Sequence, residues 1–530
     1  MLDLPRYLLG VVEVAAIAGF ALLGASAVRR RLLPRLAGAP ACLATGVIGS
    51  AIMIWAAECL GTFGWFAPLP YVLVVGAVGI GIWTLYPSAR SRSQRQEDTP
   101  HPGDRTRGRA VDPTTLIAVA IAIVAVVHFA AGVRLRLSTG MTGFDSTWYH
   151  GPFAVGFFQS GNTWDLHFIA PQFLAWFYPA NAEIFHGAGM LAFSRDILSP
   201  LLNLGWFLGC LLALWCIGRP YRVAPWSLGL GAIALSLPVL SDQAGEARND
   251  IVGIFFLLAA IAIALNAWSS VDARRRSPIG GQSGEAAESD GAEDPEGPGR
   301  GVSVGALIVA GLAAGLAAGT KLNFLLPAAV LLIGLAVIAP KGRRWRAFGV
   351  VGLAALAGGG YWYLRNLIHT GNPLPWFDNL GPITLPAPQQ ALGGREGHSA
   401  FRYLTDGNVW SDWFLPGLHH GLSIFWPLLC LLALAGLVLC LARGGPPLRV
   451  VALAGFAAGL AWLLAPTSAS GPDGMPRGFE SGLRYLSSAL VLGLALLPVV
   501  LSGRLRGAGA GHPPNGRILK MPASLGRHLS

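Results

Sequence analysis

The feature that most constrains this chain is the recurrence of apolar runs near twenty residues long over almost its whole length. A helix of about 20 residues rises about 30 Å, which matches the hydrocarbon of a bilayer, and it satisfies its own backbone hydrogen bonds there. Repeated runs of that length specify a polytopic helical membrane protein. The short alternating segments that would close a transmembrane β-barrel are not visible. Of the 530 residues, 53% are hydrophobic and 12% charged, which excludes an ordinary soluble protein. The expected fold class is all-α, with about thirteen transmembrane helices near 7–28, 42–62, 66–86, 114–133, 196–218, 224–241, 250–268, 303–319, 322–339, 347–365, 421–442, 449–465 and 484–502.

The basic residues set the orientation. The net charge of +11 would suit a nucleic-acid partner if the cations tracked a groove, but they cluster in short loops between apolar spans. With the N-terminus outside, most of the 38 Lys and Arg become cytoplasmic and the C-terminus lies inside, as the positive-inside rule requires. The expected location is the cytoplasmic membrane and the expected environment the lipid bilayer, with no nucleic acid. The long loops 134–195, 366–420 and 466–482 then all face outward. The inward segments 88–113 and 269–301, the latter containing GGQSGEAAESDGAEDPEGPG, read as disordered linkers too polar to bury a core, as does the tail from Gly503. Three regions follow: three N-terminal helices with a basic linker over 1–113, a membrane core over 114–502 (with the 269–302 loop inside and the 366–420 loop outside), and a flexible tail over 503–530. The first apolar run is too long for a cleavable signal and is followed by three arginines. The six cysteines lie within apolar spans without CxxC or Cys/His zinc spacing, and small buried hydrophobes explain them.

The stretch Thr142–Asn162, TGFDSTWYHGPFAVGFFQSGN, begins where the span from Thr114 to Val133 leaves the hydrocarbon. Asp145, Ser146 and Thr147 are residue types that cap a helix start, and Gly161 suits a helix end. Trp148, Tyr149, Phe153, Phe157 and Phe158 give an apolar face suited to the headgroup layer, so an amphipathic juxtamembrane helix is expected. Four further clusters fall at outer ends of spans: Glu246, Arg248 and Asp250 in SDQAGEARNDIVG; Lys321 in GLAAGTKLNF; Arg365 and Asn366 in YWYLRNLIHTGNP; and Arg484 with Tyr485 in FESGLRYLSS.

Each cluster also has an ordinary explanation. Interfacial Lys and Arg snorkel to headgroups, and interfacial Trp and Tyr form an aromatic belt. A carboxylate beside hydrocarbon costs more to keep, so Asp145 and Asp250 point toward function. His150 lies five residues after Asp145, a poor spacing for one α-helical face, so aromatic packing competes with metal binding there. Together the clusters divide labour: a carboxylate removes a hydroxyl proton, while fixed cations hold a phosphate and stabilise it as it leaves. At the outer face of a membrane, the simplest substrate for such a set is a sugar joined through phosphate to a long isoprenoid.

The motifs GFDSTWYH, EARNDIVGIFFLLAAIA, GLAAGLAAGTK, YWYLRNLIHTGNPLPWF and GLRYLSSAL occur in the order seen in GT-C superfamily glycosyltransferases. The chain resembles the membrane-integral bacterial branch with protein O-mannosyltransferase and aminoarabinose transferase relatives, over about Thr114 to Leu501. The resemblance implies a GT-C-like core. It also implies a polyprenyl-phosphate sugar as donor and a glycan, lipid or protein hydroxyl as acceptor. By the same token Asp145 is implied as catalytic base or acceptor organiser, and Asp250 as a second outer-face acid with Arg248 beside it. Lys321 is implied to contact the lipid phosphate. Arg365 and Arg484 are candidates for the same task, and Tyr149 and His150 for substrate contact. Many relatives carry an acid directly after the first-loop aspartate; here the position is Ser146, which leaves a divalent metal ion an open matter. The rival reading is a lipid-linked sugar transporter, which predicts ionisable residues near mid-bilayer, where these spans have almost none. A third is a non-catalytic scaffold of the same fold.

Overall fold

The computed structural model describes residues 3–86, 112–169, 174–276, 302–387 and 397–509. It is helical almost throughout; among the described residues the sheet content is one two-residue hairpin pair, β1 (Asn379–Leu380) and β2 (Ile383–Thr384), in the 366–420 loop. The linker expected over 88–113, most of the 269–302 loop and the far tail fall largely outside the described residues. At the edges of two of these the helices run further than expected, to Arg276 and to Gly509.

Fifteen helices carry the argument. They are α1 (Leu4–Leu32), α2 (Ala39–Thr62), α3 (Pro68–Leu85), α4 (Pro113–Thr139), α5 (Gly151–Ser160), α6 (Asn181–Phe193), α7 (Ser199–Gly218) and α8 (Ala224–Leu235). There follow α9 (Asp250–Arg276), α10 (Val304–Ala318), α11 (Leu325–Val337), α12 (Arg344–Thr370), α13 (Trp426–Arg443), α14 (Pro446–Leu464) and α15 (Ser487–Gly509). Among the described residues, nine helices are long and apolar enough to cross a membrane: α1, α2, α3, α4, α7, α9, α12, α13 and α14. A tenth crossing is available if Phe479–Tyr485 and Ser487–Ser502, bent by 49°, form one span. The chain is therefore an all-α, multi-pass membrane protein. The count of thirteen is not reached, because α8, α10 and the segment Leu322–Val337 are apolar but shorter than a full crossing. A helix of 12 residues, such as α8, rises only about 18 Å.

The centre of the bundle is α9. Every residue from Asp250 to Ala267 is buried, which is what a helix apolar on all sides requires. It packs against α7 and α10 and is also touched by α2. The N-terminal helices are thus part of the bundle: α2 wedges against α7, α9 and α10, while α1 packs on α3 and α6.

The crossing of α10 on α12 is built from glycine. A Cβ on Gly315 would sit 2.1 Å from the Ala355 carbonyl oxygen, and one on Gly359 would sit 2.3 Å from the Gly315 oxygen. Small residues let backbones approach where no hydrophobic force drives helices together in lipid. Gly315→Leu should therefore separate α10 from α12 and lower the melting temperature of the detergent-solubilised protein by several degrees. Gly352→Ala, on the same α12 with nothing within 4 Å of the new Cβ, should leave it unchanged or slightly raised.

Candidate active site

Four segments remote in sequence meet at one end of the bundle. Asp145 precedes a π-helical turn, Ser146–His150, that leads into α5. Asp250 is the first residue of α9, Lys321 follows the end of α10 in extended backbone, and Arg484 lies in the short turn before α15. Arg484 Nη1 is 2.5 Å from Asp145 Oδ2, and its Nε is 3.7 Å from Asp250 Oδ2. Lys321 Nζ donates to Asp250 Oδ1 at 2.6 Å, and Gln243 Nε2 donates to Asp250 Oδ2 at 3.2 Å. The Tyr485 ring lies beside both cations, its centroid 5.0 Å from Lys321 Nζ and from Arg484 Cζ. The side chains of Asp145 and Arg484 are each 10% exposed and that of Asp250 1%, so these charges have little water to screen them.

Arg248 joins the set from the segment before α9. Its Nε is buried and has no hydrogen-bond partner among the described residues, and its charge is felt at Asp145. The cluster holds Arg248, Lys321 and Arg484 against Asp145 and Asp250, an excess of one positive charge, which suits an anion.

The scaffold behind these groups is polar and pinned. Glu246, fully buried, forms an ion pair with Arg136 (Nε to Oε1, 2.8 Å) and accepts from the backbone N–H groups of Thr142 (3.1 Å) and Gly143 (3.0 Å). It thereby ties the end of α4 to the start of the Asp145 loop. Gly143 must be small, because a Cβ would lie 2.9 Å from Glu246 Oε2 and 3.3 Å from Arg248 Nε. Asn203 donates to the carbonyls of Gln243 (3.2 Å), Glu246 (2.8 Å) and Arg248 (2.9 Å). Ser146, in place of the second acid expected by resemblance, accepts from the Ala247 N–H at 3.0 Å.

Several expectations change here. Asp145 does not cap a helix: its backbone is already helical and its carboxylate turns to Arg484. The aromatic face expected to lie among headgroups mostly packs inward, with Tyr149, Phe153 and Phe157 buried and Trp148 exposed. The five-residue spacing of Asp145 and His150, poor for an α-helix, suits a π-helical turn, in which the Gly151 N–H bonds back to the Ser146 carbonyl. His150 therefore comes within electrostatic reach of Asp145, and its Nδ1 bonds Glu183 Oε1. Arg365 lies outside this cluster. Buried on α12, its guanidinium lies 4.9 Å from the Trp362 ring and donates to the carbonyls of Trp176 (2.8 Å) and Tyr178 (3.3 Å), which makes it a loop anchor.

Glu183, Asn249, Asn203 and Gln243 were not among the residues expected from the sequence. The available signal for Glu183 was a lone carboxylate in α6, whose other residues apart from Asn181 and His186 are apolar or glycine.

Burial by itself would raise the Asp145 pKa, but Arg484, His150, Lys321 and Arg248 together outweigh it and hold the carboxyl well below the usual carboxylate range. As resting groups go, this is a weak base. Burial first, and then the Asp145 charge, push the Tyr149 phenol well above its ordinary value, so it is a neutral donor. A divalent ion does not fit this donor set: Asp145 and Asp250 already face Arg484 and Lys321, and among the described residues no group of three His, Cys, Asp or Glu side chains is arranged to hold one. No protein-family model matches the chain, and no curated protein and no solved structure matches it.

Two outcomes follow. The stability that Asp145 contributes is complete above the ordinary carboxylate range and is lost only as pH falls through its depressed value. Arg484→Gln should move Asp145 protonation to higher pH, visible as a protonated-carboxyl stretch in infrared difference spectra that Asp145→Asn removes. Glu246→Ala leaves Arg136 and two N–H groups unpaired, so it should cost about 3 kcal/mol and speed proteolysis between Thr139 and Thr147.

Proposed function

We propose that the protein is a membrane glycosyltransferase that moves a sugar from a polyprenyl-phosphate donor to an acceptor hydroxyl at the outer face of the cytoplasmic membrane. In this reading the chain crosses the bilayer thirteen times, with α8, α10 and α11 as short or tilted crossings, the N-terminus outside and the C-terminus inside. The observation that carries it is the convergence of Asp145, Asp250, Arg248, Lys321 and Arg484 from four separate segments into one cluster with a surplus positive charge. Cations that only snorkel to headgroups have no reason to share two nearly buried acids.

The donor phosphate is held by Lys321, Arg484 and Arg248, which stabilise the charge that grows on it as the glycosidic bond breaks. Arg248 makes no ion pair of its own among the described residues and so is the cation freest to turn to a ligand. Asp250 keeps Lys321 and Arg484 aimed. Asp145 holds Arg484 in place from the side opposite Asp250. Attack occurs directly at the anomeric carbon and inverts it, since both acids of the cluster are engaged by cations and, among the described residues, neither is left as the nucleophile for a covalent intermediate. Trp376, which lies against Tyr178 with ring centroids 5.4 Å apart, and Trp410 and Trp413 of the 366–420 loop offer flat faces for sugar.

The test is turnover by the purified full-length protein in nanodiscs. The probes are a panel of polyprenyl-phosphate hexoses and pentoses, with envelope glycan, lipid and peptide fractions as acceptors, and released polyprenyl phosphate is measured. Lys321→Ala and Arg248→Ala should each lower kcat/KM at least about tenfold, a loss of roughly 1.4 kcal/mol of transition-state binding. Movement of the intact lipid-linked sugar between liposome leaflets, with none of it consumed, would instead make the protein a transporter.

A further inference from the structure

We propose that His150, oriented by Glu183, is the group that takes the proton from the attacking hydroxyl. This rests on the glycosyltransferase reading and deepens it. Asp145 was the expected base, yet its carboxylate is committed to Arg484 at 2.5 Å. The imidazole near it is differently placed. His150 is 2% exposed, and its Nδ1 is bonded to Glu183 Oε1; in the neutral ring, an Nδ1–H donated to Glu183 leaves the lone pair on Nε2. That Nε2 is buried and has no hydrogen-bond partner among the described residues.

Glu183 is equally fixed. It is 2% exposed, and the same Oε1 accepts from Asn249 Nδ2 at 3.2 Å; Asn249 in turn donates to the Thr320 carbonyl at 3.0 Å. Asn249 directly precedes Asp250, and Thr320 directly precedes Lys321, so the network that orients the imidazole is built into the two segments that carry the phosphate-facing groups. The charged and titratable groups that face His150 are Asp145 and Tyr149 on its own turn and Glu183 and His186 on α6. His186 does not compete, because burial pushes its pKa down to about 4 and keeps it neutral. A nucleophile, an imidazole and a buried carboxylate that sets the tautomer form the arrangement by which a weakly acidic hydroxyl is activated near neutral pH.

The step balances. The acceptor oxygen bonds to the anomeric carbon as its proton passes to His150 Nε2. The bond from that carbon to the phosphate oxygen breaks, and its electron pair leaves on the polyprenyl phosphate, held by Lys321, Arg484 and Arg248. The imidazolium, stabilised by Glu183, then returns its proton to water.

A buried His–Glu pair also serves packing alone, and the experiment separates the two roles. In the nanodisc assay, His150→Gln, whose amide still donates to Glu183, should lower kcat about 10²- to 10³-fold while the donor KM stays within about threefold. His150→Ala should regain rate on addition of imidazole. Glu183→Gln, which turns an N–H toward Nδ1 and so favours the wrong tautomer, should lower kcat at least about tenfold without raising KM; it carries the test if the His150 variants fold poorly. Wild-type kcat in His150→Gln, or loss confined to KM, would overturn the inference and leave the transferase reading standing. A wild-type protein that consumes no donor in the panel would overturn both.

Discussion

Everything at the charged end of this bundle depends on one shared cation. Arg484 stands between Asp145 and Asp250, which come from separate segments, and it pairs with both. Two carboxylates this buried would repel and draw up protons if left alone. With Arg484 between them and Lys321 on Asp250, their charges are matched, and the turn before α15 becomes the keystone that joins the Asp145 loop to the central helix. A buried ion pair is a poor source of net stability, since desolvation offsets most of its attraction. Its value here is positional, because it fixes where positive charge points.

The same concern with position runs through the supporting groups. Glu246 commits its carboxylate to a side chain and two backbone N–H groups, Asn203 spans three carbonyls, and Asn249 links Glu183 to the end of α10. Irregular backbone at the end of a membrane bundle has to satisfy its polar groups within the protein, and these side chains do so. The π-helical turn at Ser146–His150 belongs to the same design. By adding a residue to the turn it brings Asp145 and His150 onto related faces and sends Tyr149 inward.

Much of the architecture was legible from residues alone. Most of the long apolar runs are helices close to their expected ends, because backbone hydrogen bonding in hydrocarbon leaves no other option, and Gly161 closes α5 in the left-handed conformation as its type suggested. Asp145, Asp250, Arg248, Lys321 and Arg484 were findable because charge beside hydrocarbon is costly and therefore conspicuous. Arg365 looked the same by that criterion, yet it anchors carbonyls around Trp176 and Tyr178. A charge at the end of a span is visible in a sequence; its partner is not.

What the sequence determined by itself is the solvent and the secondary structure: lipid on the outside, helices throughout, and most of the charge toward their ends. What only the tertiary structure decided is which charges meet. Arg484 is more than two hundred residues from either acid it touches, and Glu183 reaches His150 from another helix, so neither pairing leaves a trace in local spacing. Periodicity reports the face a residue occupies on its own helix. The partner across the site is chosen by how the helices pack, and that is set by the glycine-lined crossings and the buried, largely apolar stretch 250–267 of α9 at the bundle's centre.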